Sequence, residues 1–331
     1  MPIIYSGSCK MAHVLVTGGA GYIGSHVVTS LVNRGFEVTV LDNLSTGLKN
    51  RIENLKINFI FGDLKDSNLM DSALQDIDLV VHLAGSKSVE ESMKKPLKYW
   101  ENVSDTVNLL LSCEKNSIKK IIFSSTAAVY DSISANTIDE HHSIKPNSVY
   151  GKTKIYCELV IEDWALSFQN SYFIFRYFNV GGSSHIHLRD NSTENLIPKI
   201  ISRIGKNLPC EIYGNDYDTR DGTCIRDYIH VSDLAEAHIK AVDILLERDV
   251  KEVINLGSGI GYSVQQVLDT VQESLALKIE RQIAPRRDGD VASLVASINK
   301  ANELLSWVPQ KDLRDIVNSS LEGFQMDKRK S

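Results

Sequence analysis

The stretch His13-Val14-Leu15-Val16-Thr17-Gly18-Gly19-Ala20-Gly21-Tyr22-Ile23-Gly24 decides how the rest of this 331-residue chain is read. A short apolar run ends in a G-x-x-G-x-x-G spacing and leads into a helical segment, Tyr22 to Asn33, that stops at Gly35. Gly18 permits a tight turn, Gly21 lets the backbone approach a pyrophosphate, and Gly24 lets helix and sheet pack closely. Phosphates then rest on free N–H groups at the positive end of the helix dipole. An ordinary glycine-rich turn is the rival for such a run taken alone. The strand–turn–helix setting favours a dinucleotide.

Outward from that unit the alternation continues. Glu37 to Leu41, Asn58 to Phe61, Asp78 to Leu83, Ile121 to Ser124 and Tyr172 to Arg176 read as strands. Leu97 to Lys115 and Tyr150 to Phe168 read as helices. Continuous apolar strands between amphipathic helices imply an α/β fold, a doubly wound parallel sheet covered on both faces. Its ligands belong at the carboxyl ends of the strands. After Asn179 the pattern loosens: residues 181–194 read as a polar loop, followed by shorter elements at Leu196 to Ile204, Glu211 to Tyr213 and Ser232 to Leu246. Val253 to Leu256 reads as one more central strand. The expected division is an extension at 1–11, a nucleotide-binding domain at 12–180 rejoined by about 228–256, and a smaller C-terminal α/β substrate region at 181–227 and 257–331.

A 43% hydrophobic, 24% charged composition is that of a soluble globular protein, and a formal charge of −6 gives no electrostatic reason to expect nucleic acid or an anionic membrane. No apolar run reaches the ~18 residues of a membrane helix. Met1 to Lys10 lacks the pattern of a signal peptide and reads as an unstructured extension, with Met11 a candidate start. Cys9, Cys113, Cys157, Cys210 and Cys224 show no paired or metal-type spacing, so reduced thiols in a cytoplasmic protein are expected. His141-His142 has no third ligand in view, and no metal site is expected.

Asp42 ends the second strand near the offset at which an acid bonds adenosine ribose hydroxyls. No Arg adjoins it to receive a 2′-phosphate, so NAD is favoured over NADP. Asp63 is placed to face adenine or to be a solvated loop carboxylate. Lys87, after the fourth strand, is placed to reach the cofactor ribose or to be a surface charge. Tyr150-Gly-Lys-Thr-Lys154 puts a phenol and an ammonium one helical turn apart on one face. A phenol of pKa ~10 needs such a neighbour to act as a base near neutrality. An amphipathic helix carrying both residues by chance is the alternative for the pair alone.

With these pieces together, the chain from about Ala12 to Pro309 resembles the extended short-chain dehydrogenase/reductase superfamily, whose nucleotide domain is a Rossmann-type NAD-binding fold. The UDP-glucose 4-epimerases are its nearest match. The glycine motif and Tyr-x-x-x-Lys are common to the superfamily. Asp216-Tyr217-Asp218-Thr219-Arg220-Asp221-Gly222-Thr223-Cys224-Ile225-Arg226-Asp227-Tyr228-Ile229-His230-Val231 is far more specific, and Arg176-Tyr177-Phe178-Asn179 and Pro285-Arg286-Arg287-Asp288-Gly289-Asp290 match sugar-nucleotide segments.

The resemblance implies NAD-dependent 4-epimerization of a UDP-hexose through a transient 4-keto sugar, with Tyr150 as acid/base. Lys154 would keep the phenol acidic and hold the nicotinamide ribose, and Thr126 would supply the third hydroxyl. It places the cofactor against Gly18, Gly21, Tyr22, Ile23, Gly24, Asp42, Asn43, Asp63, Leu64, Leu83, Ala84, Gly85, Lys87, Asn102, Ser124 and Tyr177. It places the UDP-sugar against Thr126, Asn179, Asn195, Leu196, Tyr213, Arg226, Arg287, Asp290 and Leu294. It also implies a homodimer, with galactose use and polysaccharide synthesis both open as the setting.

Departures from the family pattern fall near the sugar. The 180–190 stretch is short, Val149 replaces a proline, Thr126 replaces a serine, and Leu294 is intermediate between a bulky gate and a small one. UDP-N-acetylglucosamine 4-epimerization is therefore the sibling reading. A dehydratase or decarboxylase is less favoured, because Ala127-Ala128 stand where dehydratases carry Asp-Glu. A non-catalytic NAD-binding scaffold would predict a broken triad.

Overall fold

A computed structural model of the chain describes residues 11–131, 137–192, 194–287 and 289–327, with side chains up to residue 322. The expected extension lies almost wholly outside these residues. Thirteen strands are described: β1 (His13–Thr17), β2 (Glu37–Asp42), β3 (Asn58–Phe61), β4 (Leu79–His82), β5 (Lys120–Thr126), β6 (Ser171–Tyr177), β7 (Asn179–Gly181), β8 (Cys210–Tyr213), β9 (Ile225–His230), β10 (Lys251–Leu256), β11 (Gly261–Ser263), β12 (Arg281–Ala284) and β13 (Ser293–Leu294). The helices are α1 (Tyr22–Arg34), α2 (Ser67–Ala73), α3 (Val89–Lys94), α4 (Pro96–Lys115), α5 (Val149–Phe168), α6 (Leu196–Gly205), α7 (Val231–Glu247), α8 (Val264–Leu275), α9 (Asn299–Leu305) and α10 (Leu313–Asp327).

Seven strands form one parallel sheet in the order β10-β6-β5-β4-β1-β2-β3. Side chains alternate across each strand, so a strand apolar at every position must be covered twice. In β1, Val14 and Val16 pack with Val27 and Leu31 of α1 and Leu234 of α7, while Leu15 packs with Leu109 of α4 and Ile161 of α5. The expected doubly wound Rossmann-type sheet is therefore present.

Strand order reverses between β1 and β4, and the crevice of such a sheet opens there. The glycine turn after β1 and the Leu83–Ser86 turn after β4 meet at that point: a Cβ on Gly18, whose φ is +71°, would lie 2.7 Å from the Ala84 nitrogen.

One expectation is corrected. Val253 to Leu256 belongs to the main sheet, but as its edge strand, not an interior one. Its apolar run is tolerated because the free edge is covered: Asn255 N donates to Glu140 Oε1 at 2.7 Å and Asn255 Nδ2 to the Ile138 carbonyl at 2.9 Å. The 181–194 stretch is not wholly loop, since Asn179–Gly181 pairs with β9 and Ile186–Leu188 forms a single 3-10 turn.

The remaining strands make two small sheets, β11-β9-β13 with β7 beside β9, and β12-β8. They share a core with α6, α8 and α10 through Ile200, Ile212, Tyr228, Leu268 and Ile316. Asp227, fully buried on β9, accepts from Ser258 N, Ser258 Oγ, Gly259 N and Ala296 N at 2.6–3.1 Å. That single carboxylate ties β9 to the turn after β10 and to the chain just past β13.

Candidate active site

Helix α5 begins where Ser148 accepts a hydrogen bond from Gly151 N at 3.0 Å. A Cβ on Gly151 would lie 2.4 Å from the Ala128 carbonyl, so only glycine lets the first turn of α5 sit against the end of β5. This contact brings Tyr150, Lys154 and Thr126 together. The Thr126 side chain lies near enough to the phenol to lower its pKa, and Tyr99 of α4, itself fully buried, meets the Tyr150 ring edge-on at 6.4 Å. Tyr99 was not picked out from the sequence, because a tyrosine at helical spacing looks like any core residue.

Burial pushes the Tyr150 phenol up to about 12, against a smaller downward pull from Thr126. Desolvation is thus the largest single influence on this phenol. The Lys154 ammonium donates to the Ser124 carbonyl at 2.7 Å and lies 4.6 Å from the centre of the Phe123 ring. Desolvation lowers its own pKa. Burial thus shifts both groups in the direction of the neutral form, the phenol upward and the ammonium downward, because removing a charge from water is costly.

At the crevice, Gly21 caps α1 with no side-chain hydrogen bond, which leaves the first N–H groups of a thirteen-residue helix facing the turn. A Cβ on Gly24 would lie 2.1 Å from the Gly18 carbonyl, while one on Gly21 would touch only that oxygen, at 3.1 Å. One glycine thus allows packing and the other leaves an open cradle, so these residues fit a dinucleotide phosphate. Asp42, 7% exposed, accepts from Ala20 N at 2.9 Å and Leu44 N at 2.8 Å. Asn43 Nδ2 donates to Asp63 at 2.8 Å, with Leu64 buried beneath. Asn102 clamps the turn after β4, accepting from Ser86 N and donating to Ser86 O at 2.8 and 3.0 Å. Lys87 is exposed just beyond that turn.

Tyr177 departs from its expected place. It follows Phe173 and Phe175 onto the α1/α7 face, where its hydroxyl meets Nε2 of fully buried His238 at 2.7 Å. The other ring nitrogen of His238 donates to the Leu234 carbonyl at 2.8 Å, so Nε2 is the acceptor.

The substrate residues divide into two groups. Asn179, Asn195 and Leu196 line a narrow cleft with Tyr22, Asp190 and Tyr228. Arg226 donates to the Ile225 and Val291 carbonyls at 2.9 and 2.8 Å and to Asp290 Oδ1 at 3.2 Å. Arg287 lies 3.9 Å over the Tyr213 ring. Leu294 follows in β13, half-buried against a cluster containing Phe178 and Ala296.

Three contacts missed from the sequence join the two regions. Tyr22 OH donates to the Gly182 carbonyl at 2.6 Å, Ser184 N to His26 Nε2 at 3.1 Å, and Arg51 Nη2 to the Arg189 carbonyl at 2.8 Å. Arg51 is also close enough to Asp42 for the two charges to interact, and its guanidinium is buried. Among the described residues there is no metal-type cluster, no helix long and apolar enough to cross a membrane, and Cys113, Cys157, Cys210 and Cys224 are free and buried.

A parallel sheet with an anion-binding glycine turn at its switch point and a Tyr–Lys–hydroxyl group at its carboxyl end defines a nucleotide-dependent redox fold. The chain matches the model of the NAD dependent epimerase/dehydratase family over residues 14–257, and it belongs to that family. It is 41% identical over 304 residues to the UDP-glucose 4-epimerase of Halalkalibacterium halodurans, covering 90% of each chain. A crystal structure of UDP-glucose 4-epimerase from Stenotrophomonas maltophila, with bound NAD and formylated UDP-arabinopyranose, superposes with a TM-score of 0.92. The two are 33% identical, with 97% of this chain and 100% of that one covered. The UDP-Glc/GlcNAc 4-epimerase of Campylobacter jejuni superposes with a TM-score of 0.83 at 36% identity, covering 95% and 99%.

Proposed function

We propose that this chain is an NAD-dependent isomerase that inverts C4 of a UDP-hexose, with UDP-glucose and UDP-galactose as the pair it interconverts. The observation that carries the reading is the meeting of Tyr150, Lys154 and Thr126 at the end of β5, followed by Ala127-Ala128, where an elimination would need an acid. NAD would lie in the main-sheet domain, 12–180 with 228–256, with its phosphates on Gly18–Gly24 and its adenosine ribose on Asp42. Asn43, Asp63, Leu64, Leu83, Ala84, Gly85, Lys87, Asn102 and Ser124 would frame it. The UDP-sugar would lie against the region 181–227 and 257–331.

NAD, when bound, supplies the acceptor and later the donor of the C4 hydride. Tyr150 takes the proton of the 4-hydroxyl at its phenol oxygen and returns it to the 4-keto sugar, while Thr126 holds the same sugar oxygen. Lys154 holds the ribose next to Tyr150. Arg226 and Arg287 hold the diphosphate, for which a guanidinium fork is suited. Asn179, Asn195, Leu196, Tyr213 and Asp290 hold the nucleotide, and the hexose itself is left free to present either face.

Leu294 supports a second reading in which UDP-N-acetylglucosamine is also turned over. It sits half-buried beside Phe178 and presents less bulk than an aromatic gate. Purified protein is to be given UDP-glucose, UDP-galactose and both N-acetyl sugars without added NAD. Conversion of none of the four would reject the proposal, and release of a 4-keto product would favour a dehydratase.

The acting form is a homodimer. α4 and α5 pack side by side and expose Leu97, Leu111, Leu159 and Leu166, with Trp100 and Tyr156 in ring contact at 5.2 Å. A second copy of this face is the matching partner, since pairs of helices bury such stripes against each other. Sedimentation should give a dimer that Leu159→Glu converts to monomer. A wild-type monomer at micromolar concentration rejects it.

A further inference from the structure

Tyr150, Lys154 and Glu158 stand one helical turn apart on one face of α5, and three consecutive residues of β5 answer them. Thr126 meets the phenol, the Ser124 carbonyl takes the Lys154 ammonium, and the Ser125 hydroxyl donates to Glu158 Oε1. Glu158 is 3% exposed and Arg176 of β6 is 4% exposed. Arg176 clasps the carboxylate with both arms, Nη2 to Oε2 at 2.7 Å and Nε to Oε1 at 3.1 Å. Its Nη1 donates to the Tyr130 hydroxyl at 3.0 Å and the Glu140 carbonyl at 3.4 Å. Tyr130 in turn donates to Asn255 Oδ1 at 2.7 Å. The network therefore runs from the catalytic helix through β5 and β6 to the edge strand.

A pair this deeply buried gains little net stability, because desolvation offsets the attraction. Apolar residues of the same volume would serve the core as well. What an apolar pair would not give is a fixed point and a carboxylate one turn from Lys154. We infer that Glu158, held by Arg176 and Ser125, is a positioning residue: it sets α5 against the end of β5 and is the countercharge of the buried Lys154 ammonium. This rests on the epimerase reading above.

The surroundings of Lys154 agree. His82 faces it from β4, the Phe123 ring and Ser124 carbonyl from β5, Cys157 from its own helix, and Asn102 borders it from α4 beside Gly85. Arg176 lies behind Glu158. Among these groups Glu158 is the carboxylate. Burial lowers the Lys154 pKa, and Cys157 and then Glu158 oppose this.

The test is the pH profile of kcat for the NAD-loaded dimer of wild type, Glu158→Gln, Glu158→Asp and the pair Glu158→Gln with Arg176→Met. The paired variant removes both buried charges and keeps the core filled if the single one fails to fold. Losing the countercharge should move the alkaline limb about one unit lower in both Gln variants and lower kcat at least tenfold at pH 9, with KM within twofold. Glu158→Asp should keep the wild-type limb. Bound NAD and the thermal melt are read in parallel. No turnover by the wild type sinks the epimerase reading and this inference with it. Wild-type turnover with an unmoved limb in the folded, NAD-loaded Gln variants overturns the positioning role alone.

Discussion

Gly24→Ala should remove the cofactor while Gly35→Ala, at the other end of the same helix, should not. The Gly24 Cβ would lie 2.1 Å from the Gly18 carbonyl and 2.8 Å from the Gly19 Cα, all backbone, so no side chain is free to swing aside. Reaching even a tight 3.0 Å contact moves α1 about 0.9 Å from the turn, an overpacking that costs about 1–3 kcal/mol. Phosphate hydrogen bonds near ~2.9 Å from the first-turn N–H groups would then stretch to about 3.8 Å, past their working range. Two such charge-assisted bonds are worth about 1.5–3 kcal/mol each, so affinity should fall about 10²- to 10⁴-fold. At Gly35 nothing lies within 4 Å, but φ is +97°. Alanine there costs about 1–2 kcal/mol of strain and touches no ligand. The assay is bound NAD per chain after gel filtration, a fluorescence titration of added NAD, and the melt of each variant. Gly24→Ala with full NAD and unchanged affinity would refute the steric account of the turn. So would Gly35→Ala losing NAD while Gly24→Ala keeps it.

Acid should unfold this protein early. Burial holds His26, His230 and His238 down at about 4 and His82 at about 3, below their unfolded value near ~6.5. The unfolded chain therefore binds more protons than the folded one between ~6.5 and ~4, and stability falls as pH drops through that window by on the order of several kcal/mol. A denaturant midpoint unchanged between pH 7.5 and pH 5 would contradict this. Thr126→Ser should keep most of kcat, whereas Thr126→Val, which loses the hydroxyl toward Tyr150 and its bond from Ala128 N, should lower it about 10²-fold. Wild-type rates in Thr126→Val would remove the residue from the mechanism. Leu294→Tyr should abolish turnover of N-acetyl sugars and spare UDP-glucose; unchanged N-acetyl turnover would move the gate elsewhere.

The main sheet was legible because its strands are buried on both faces and so appear as unbroken apolar runs, and because α1 carries its own stop at Gly35. The short helices α2 and α3 were not, since six or seven residues show less than two turns of periodicity. The small sheets were hidden for another reason. β13 is two residues long and pairs with β9 some 68 positions earlier, beside an Asp227 whose partners lie in two further segments, Ser258-Gly259 and Ala296. The Arg226-Asp227 motif could be matched as letters, but not seen as a strand whose first acid is a clamp. Likewise Gly151 reads as a spacer inside Tyr-x-x-x-Lys until the Ala128 carbonyl appears 2.4 Å from its missing Cβ. Spacing put Tyr150 and Lys154 on one face; it could not say that the ammonium turns to Ser124.

That turn changes what the Tyr150–Lys154 pair is for. A phenol at about 12 would need roughly 7 kcal/mol to act as a base near pH 7, and its nearest helper, Thr126, offers a neutral hydrogen bond worth about 1 kcal/mol. Lys154, bonded to a backbone carbonyl and leaning on an aromatic face, is fixed at the end of β5 by both contacts. Burial therefore favours the protonated form of Tyr150, and a positive charge brought against the phenol would lower the cost of losing that proton. In the proposed epimerization, which removes one proton and returns it, this burial would favour keeping the proton on Tyr150 while the sugar is a ketone.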